Sequence, residues 1–177
     1  MHEVRYPSVK QIRLPCRELP ALAIGDQLEL SGEILCGRDA VLPRIVSCIQ
    51  NDTLPDCIDL AGTAVFHTAV SRAGVGPTSS NKLDIEDSIP TLSAAGVVLH
   101  LGKGKLREDT VEALRQNRSF FAVVPPTSAL LESRILSKEL VAFGELGMEA
   151  LYRIRVERFP AIVAIADGKS LFSSEGE

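Results

Sequence analysis

Three clusters of polar residues carry the chemistry open to this sequence. Gly37-Arg38-Asp39 directly follows an apolar run. An arginine there offers a planar fork of donors that matches a carboxylate, and a neighbouring aspartate can orient it. The same pair also suits a plain ion pair at a helix start. Gly76-Pro77-Thr78-Ser79-Ser80-Asn81-Lys82-Leu83-Asp84 sets three hydroxyls, an amide and an ammonium ahead of a helix. Backbone N–H groups and the helix dipole favour an anion at such a place, although a simple turn capped by Asp84 has the same composition. Gly102-Lys103-Gly104 ends a second apolar run. Glycines let a backbone approach a ligand and leave the lysine room to pivot; a solvent loop reads the same way. By residue type alone, the three clusters describe a site for a small anion.

Other polar residues read more simply. His67 and His100 each sit alone in an apolar run and are expected to be satisfied core residues. Asp167-Gly168 is a turn. Phe143, Leu146 and Met148 form a stripe expected to pack in the core. The cysteines Cys16, Cys36, Cys48 and Cys57 lie far apart, with no CxxC pair and no adjacent histidine, so they read as reduced thiols rather than a metal site or disulfide frame.

The elements that must hold these clusters follow from periodicity. An early strand and turn are expected before Asp26. Gln27–Leu35 alternates polar and apolar residues, as a half-buried strand does. Asp39 is placed to cap a following helix, with Pro43 near its first turn. Residues 51–56 form a loop and 63–70 a strand. A long polar loop over 71–83 leads to a helix from Asp84 to Ala95, interrupted by Pro90. Residues 96–101 form a short buried strand. Residues 107–117 form an amphipathic helix with Val111 and Leu114 inward. A strand over 119–124, a small helix over 129–135 and two strands, 151–159 and 161–166, complete the pattern. The class is α/β, in layers of sheet with flanking helices, and residues 1–177 are expected to form a single domain.

Composition narrows the function. The 177 residues are 45% apolar and 24% charged, as in an ordinary globular domain, and the 5% aromatic content implies an aliphatic core. A net charge of −4 argues against a nucleic-acid surface. The N-terminus shows no secretory signal, and no apolar run approaches the roughly 18 residues of a membrane span. A cytoplasmic protein is the expectation.

In order and spacing, the three clusters resemble the β subunit of class I fumarases and L-tartrate dehydratases, which in fused enzymes is the C-terminal domain. The resemblance runs from about Leu22 to Phe172. It includes the SGxI strand (Ser31 to Ile34), GRDA (Gly37 to Ala40) where the family usually has ARDxAH, and GPTSSNKLD where it usually has GPTTxxRMD. PTL (Pro90 to Leu92), GKG (Gly102 to Gly104), FGELGMEAL (Phe143 to Leu151) and FPAIVAIAD (Phe159 to Asp167) follow.

The resemblance implies a swivelling β/β/α domain and reversible hydration of a dicarboxylate double bond. It implies a 4Fe-4S cluster carried by a partner α subunit and none bound by this chain. The reaction needs a Lewis acid on the departing hydroxyl, a base for the carbon-bound proton, and cations and N–H groups for the carboxylates. Carried over by position, Arg38 binds a substrate carboxylate and Asp39 holds Arg38. Thr78 contacts substrate and takes part in proton transfer. Ser79 keeps the hydroxyl of the second threonine, and Lys82 stands in for an arginine. Lys103 binds substrate and belongs with Thr78 to the catalytic pair. A homodimer, or an assembly of two α and two β subunits, is implied. The sequence departs from the family at Leu42, where a histidine is usual, at Lys82, and at Pro125-Pro126-Thr127, where glycines are usual. A non-catalytic or regulatory domain that binds a small anion on the same fold is the alternative reading.

Overall fold

The computed structural model describes residues 8–71, 74–75, 82–126 and 128–173. Along the chain run β1 (Val9–Leu14), β2 (Gln27–Gly37), α1 (Val41–Gln50), β3 (Ala64–His67), β4 (Val70–Ser71), β5 (Gly74–Val75) and α2 (Lys82–Ala94). They continue with β6 (Leu99–Gly102), α3 (Glu108–Gln116), β7 (Phe120–Val123), α4 (Ser128–Ser133), β8 (Ile135–Ala142), a 3-10 segment (Gly144–Glu149), β9 (Leu151–Ala166) and β10 (Lys169–Ser170).

Strands β2, β3, β6 and β7 lie side by side and parallel. A helix links each successive pair, as parallel pairing requires. Strand β9 runs antiparallel to both β7 and β2, and so closes the five strands into a barrel. Strand β1 extends β2 in parallel, β8 pairs with the first half of β9, and β10 turns back onto its end. Strands β4 and β5 form a separate short ribbon.

The period of two sorts the side chains of each strand onto two faces. Leu28, Leu30 and Ile34 of β2, Ala64 and Phe66 of β3, and Leu99 and Leu101 of β6 fill the barrel interior with Ala122, Ile154, Phe159 and Val163. Phe66 and Phe159 meet edge to face, with centroids 5.9 Å apart. The outer faces are covered as well. Val65, Leu35 and Leu151 pack under α1 through Val41, Leu42 and Ile45. Phe121 and Ile165 pack with Ile89 of α2 and Val111 and Leu114 of α3. Strands covered on both faces read as unbroken apolar runs, which is why β3 and β6 are buried at every position.

Several expectations are revised. Helix α1 opens on Ala40, without a side-chain cap, so Asp39 is not its N-cap. Helix α2 begins at Lys82, which puts Asp84 inside it rather than at its cap. The expected strand over 63–70 breaks at Thr68, where Thr68 N–H turns back to donate to the Phe66 carbonyl. The two expected strands near the end are one continuous strand, β9, in which Pro160 stays in register opposite Glu29 and the irregularity falls just before it. Pairing slips between Leu30 and Gly32, Arg158 adopts φ +51°, and its N–H donates to Ser31 Oγ at 3.0 Å. Strand β8 was not foreseen. Met148 is 58% exposed, while Phe143 and Leu146 are partly buried, so the supposed core stripe is half surface.

Gly32 holds this junction. Its φ is +110°, and a Cβ there would lie 2.1 Å from the Leu14 carbonyl oxygen, which seats β1 over β2. Gly32→Ala is therefore expected to lower the unfolding free energy by about 2 kcal/mol or more. Urea titration followed by circular dichroism measures this; an unchanged midpoint would show that β1 shifts at no cost.

Candidate functional site

The parallel strands end together, and their ends bring two of the three clusters onto one edge. Gly37, the last residue of β2, pairs with His67, the last of β3. Phe66 pairs with Leu101, which sets His67 abreast of Gly102 at the end of β6. Arg38 and Lys103 are the next residues out, so they flank the end of β3. Carboxyl ends of parallel strands are where open α/β sheets bind ligands, because the chain leaves the sheet there and its turns are free to vary. Gly102 makes room at this edge: a Cβ there would lie 3.3 Å from the Phe121 ring and 3.9 Å from His67 Cβ.

Arg38 is half-buried and held from far along the sequence. Its Nε donates to Glu149 Oε1 at 2.8 Å, and Nη2 donates to the same oxygen. These bonds raise its pKa above the ordinary arginine value, and the charges of Glu149 and Asp39 add to the effect against partial burial. The charge of Asp39 favours the guanidinium, and Glu149, which the sequence reading missed, bonds to it directly. A guanidinium has five N–H donors in a fixed fork. Glu149 takes two from one side, and Nη1 makes no hydrogen bond among the described residues. Lys103 is exposed and makes no ion pair among the described residues.

Thr78 and Ser79 lie outside the described residues. Lys82 opens helix α2, and its side chain also lies outside them. Leu42, where the resembling family carries histidine, is 1% exposed and packs against the end of β2. A cleft of about 840 Å³ lies at the opposite end of the barrel, where β6 and β7 begin; it contains neither Arg38 nor Lys103.

The two histidines meet on the outer face of the sheet. His67 Nε2 lies 3.0 Å from His100 Nδ1, and His100 Nε2 lies 2.9 Å from Ser93 Oγ on α2. His100 is thus satisfied at both nitrogens, as expected for a core residue. His67 Nδ1 is buried and has no hydrogen-bond partner among the described residues. Burial pushes the pKa of His67 down to about 4. Burial first, and then the charge of His67, push that of His100 well below its ordinary value.

A family model described as Fumarase C-terminus matches residues 4–175. The aerobic class I fumarate hydratase of Escherichia coli is 29% identical over 159 residues, covering 85% of this chain and 29% of that protein. Fumarate hydratase 2 of Leishmania major is 27% identical over 166 residues, covering 89% of this chain and 29% of its own length. A putative L(+)-tartrate dehydratase subunit beta of Methanocaldococcus jannaschii is 26% identical over 176 residues, covering 90% of this chain and 88% of that subunit. The chain therefore spans less than a third of the fumarate hydratases it matches and most of the length of the tartrate dehydratase subunit.

The buried histidines set a pH dependence. Both are neutral in the fold, and an unfolded chain protonates them near pH 6.5. Below that pH the unfolded state binds more protons, so their contribution is complete above about 6.5 and is lost as pH falls toward 4. The expected slope is about 1 kcal/mol per pH unit for each histidine. Urea titrations between pH 7 and 5, where most carboxylates stay ionised, measure it. A flat profile would mean that the pair is hydrated or charged in the native state.

Proposed function

The chain belongs to the Fumarase C-terminus family, and from that premise we propose that it is the β subunit of a hydro-lyase that reversibly hydrates a small dicarboxylic acid of the fumarate or tartrate type. Its share of the work is to anchor and orient substrate. The observation that carries the reading is the placement of Arg38 and Lys103 at the ends of β2 and β6, either side of His67 at the end of β3. Such an acid has two carboxylates, and two cations on one edge fix both the position and the direction of a rigid four-carbon chain. Arg38, steadied by Glu149 and by the charge of Asp39, offers its free donors to one carboxylate. Lys103 meets the other or the developing enolate-like charge, which a fixed cation stabilises most in the transition state. Thr78 and Ser79 supply hydroxyls, Thr78 for proton transfer, and Lys82 a further cation.

Abstraction of a proton beside a carboxylate leaves negative charge on that group, so the same cations that bind substrate also lower the barrier to this step. Among the described residues, no three His, Cys, Asp or Glu side chains gather closely enough to hold a metal ion. Cys36 is enclosed at the barrel wall, where burial raises its pKa far above the ordinary thiol value and opposes the thiolate that a metal needs. These residues are a poor fit for the implied 4Fe-4S cluster, which we assign to a partner α subunit. No helix among the described residues is long and apolar enough to cross a membrane. We assign the whole chain to one swivelling β/β/α domain in a cytoplasmic assembly, either a homodimer or two α and two β subunits.

An anaerobic assay of fumarate, malate and tartrate interconversion tests the reading. The isolated chain is expected to be silent, and the mixture with its cluster-bearing partner active. Within that complex, Arg38→Ala and Lys103→Ala should each keep the fold and reduce kcat/KM by about 2–5 kcal/mol, thirtyfold or more. Near-normal turnover in both variants would sink the site assignment. A silent mixture with an intact cluster would turn the reading toward a non-catalytic domain that binds a small anion.

A further inference from the structure

The reaction proposed above leaves one buried assembly unused. Ser93, His100 and His67 form a continuous line of hydrogen bonds with separations of 2.9 and 3.0 Å. At one end, Ser93 borders the 840 Å³ cleft where β6 and β7 begin. At the other, His67 ends β3 between the glycines that precede Arg38 and Lys103. The line thus runs along the sheet from the cleft to the anion-binding edge. Its last atom, His67 Nδ1, is buried without a hydrogen-bond partner among the described residues. An unpaired buried polar atom carries a desolvation cost that a purely structural histidine has no reason to keep.

We propose that Ser93, His100 and His67 form a proton relay between the cleft and the anion-binding edge, with His67 Nδ1 as its terminal atom. Two neutral imidazoles joined by one hydrogen bond share a single proton in that bond. Only two arrangements satisfy the line: both rings carry Nδ1–H, or both carry Nε2–H. In one passage His67 releases its Nδ1 proton to an oxygen of substrate or water that enters at the edge. Its Nε2 takes the Nδ1 proton of His100, His100 Nε2 takes the proton of Ser93 Oγ, and Ser93 recovers one from solvent in the cleft. One proton enters and one leaves, and both rings stay neutral; before a further passage in the same direction both rings must return to the first tautomer by reorienting, whereas a passage in the opposite direction restores it directly. Burial, which keeps both rings uncharged, supports this form of transfer over one through an imidazolium. The role in turnover rests on the hydro-lyase reading: hydration and dehydration place or remove one carbon-bound proton, and that proton must be exchanged with solvent.

His67→Gln separates relay from scaffold. The glutamine amide can reach the position of Nε2 and keep the bond to His100, but it cannot pass a proton. In the complex with the cluster-bearing partner, malate turnover in H2O and D2O is expected to show kcat reduced about tenfold or more with KM little changed. Ser93→Ala should move kcat in the same direction. Unchanged kcat in His67→Gln would overturn the relay. A wild-type complex without turnover would count against the hydro-lyase reading alone, because nitrogen-15 NMR of the full chain at pH 7 tests the relay separately. The expected result is two neutral rings of the same tautomer, with a His67 Nδ1 resonance that shifts in Ser93→Ala. Rings of opposite tautomer, a charged ring, or a His67 signal indifferent to Ser93 would each overturn it.

Discussion

The closure made by β9 is the constraint from which the other features follow. Four parallel strands joined by helices would leave two open edges and one uncovered face. A single long strand, antiparallel to β2 on one side and β7 on the other, satisfies both edges at once. Closure gives the sheet an inside, which accounts for the aliphatic filling around Phe66 and Phe159. It also gives an outside that the helices must cover, so most strand residues are buried on either face. Polar groups on the strands then sit at strand ends, where the backbone leaves the sheet, or bond to one another, as His67 Nε2 and His100 Nδ1 do.

Closure also costs local regularity. A five-stranded barrel curves tightly, and β2 and β9 absorb the curvature at one place, where both slip register and Gly32 lets the Leu14 carbonyl approach. Three strands meet in the junction, and β2 runs on from it to Gly37, beyond which Arg38 leaves the same strand. A site built on strand ends inherits its precision from the barrel wall beneath it.

The sequence displays some of this and conceals the rest for identifiable reasons. The alternation of β2, the apolar runs of β3, β6 and β7, and the face of α3 are local patterns, and they read correctly. Strand β8 has no such pattern: Leu136 and Leu140 face solvent, and the strand exists because the first half of β9 needs a partner. Pro160 reads as a break, yet it persists inside β9 beside an irregularity, where strands tolerate proline. The turns bearing Arg38 and Lys103 are visible because glycines and charges punctuate apolar runs. Glu149 is not visible as their companion, since no local pattern links residues 111 positions apart. The histidines are legible singly as buried, but their contact depends on the register between β3 and β6. Membership in the family was readable from the order of short motifs, each weak alone.

The separation of Arg38 from Glu149 has a consequence in time. On a ribosome adding 5–20 residues per second, on the order of ten seconds pass between the emergence of the arginine and that of its carboxylate. Strand β9, which follows Glu149 directly, is the last barrel strand to appear. Until then the growing polypeptide carries an arginine without its hydrogen-bonded carboxylate beside two unpaired strand edges, a state suited to capture by chaperones. The Arg38–Glu149 pair and the sealed wall come into being within the same short interval of synthesis. A chain stalled or truncated before that interval has neither.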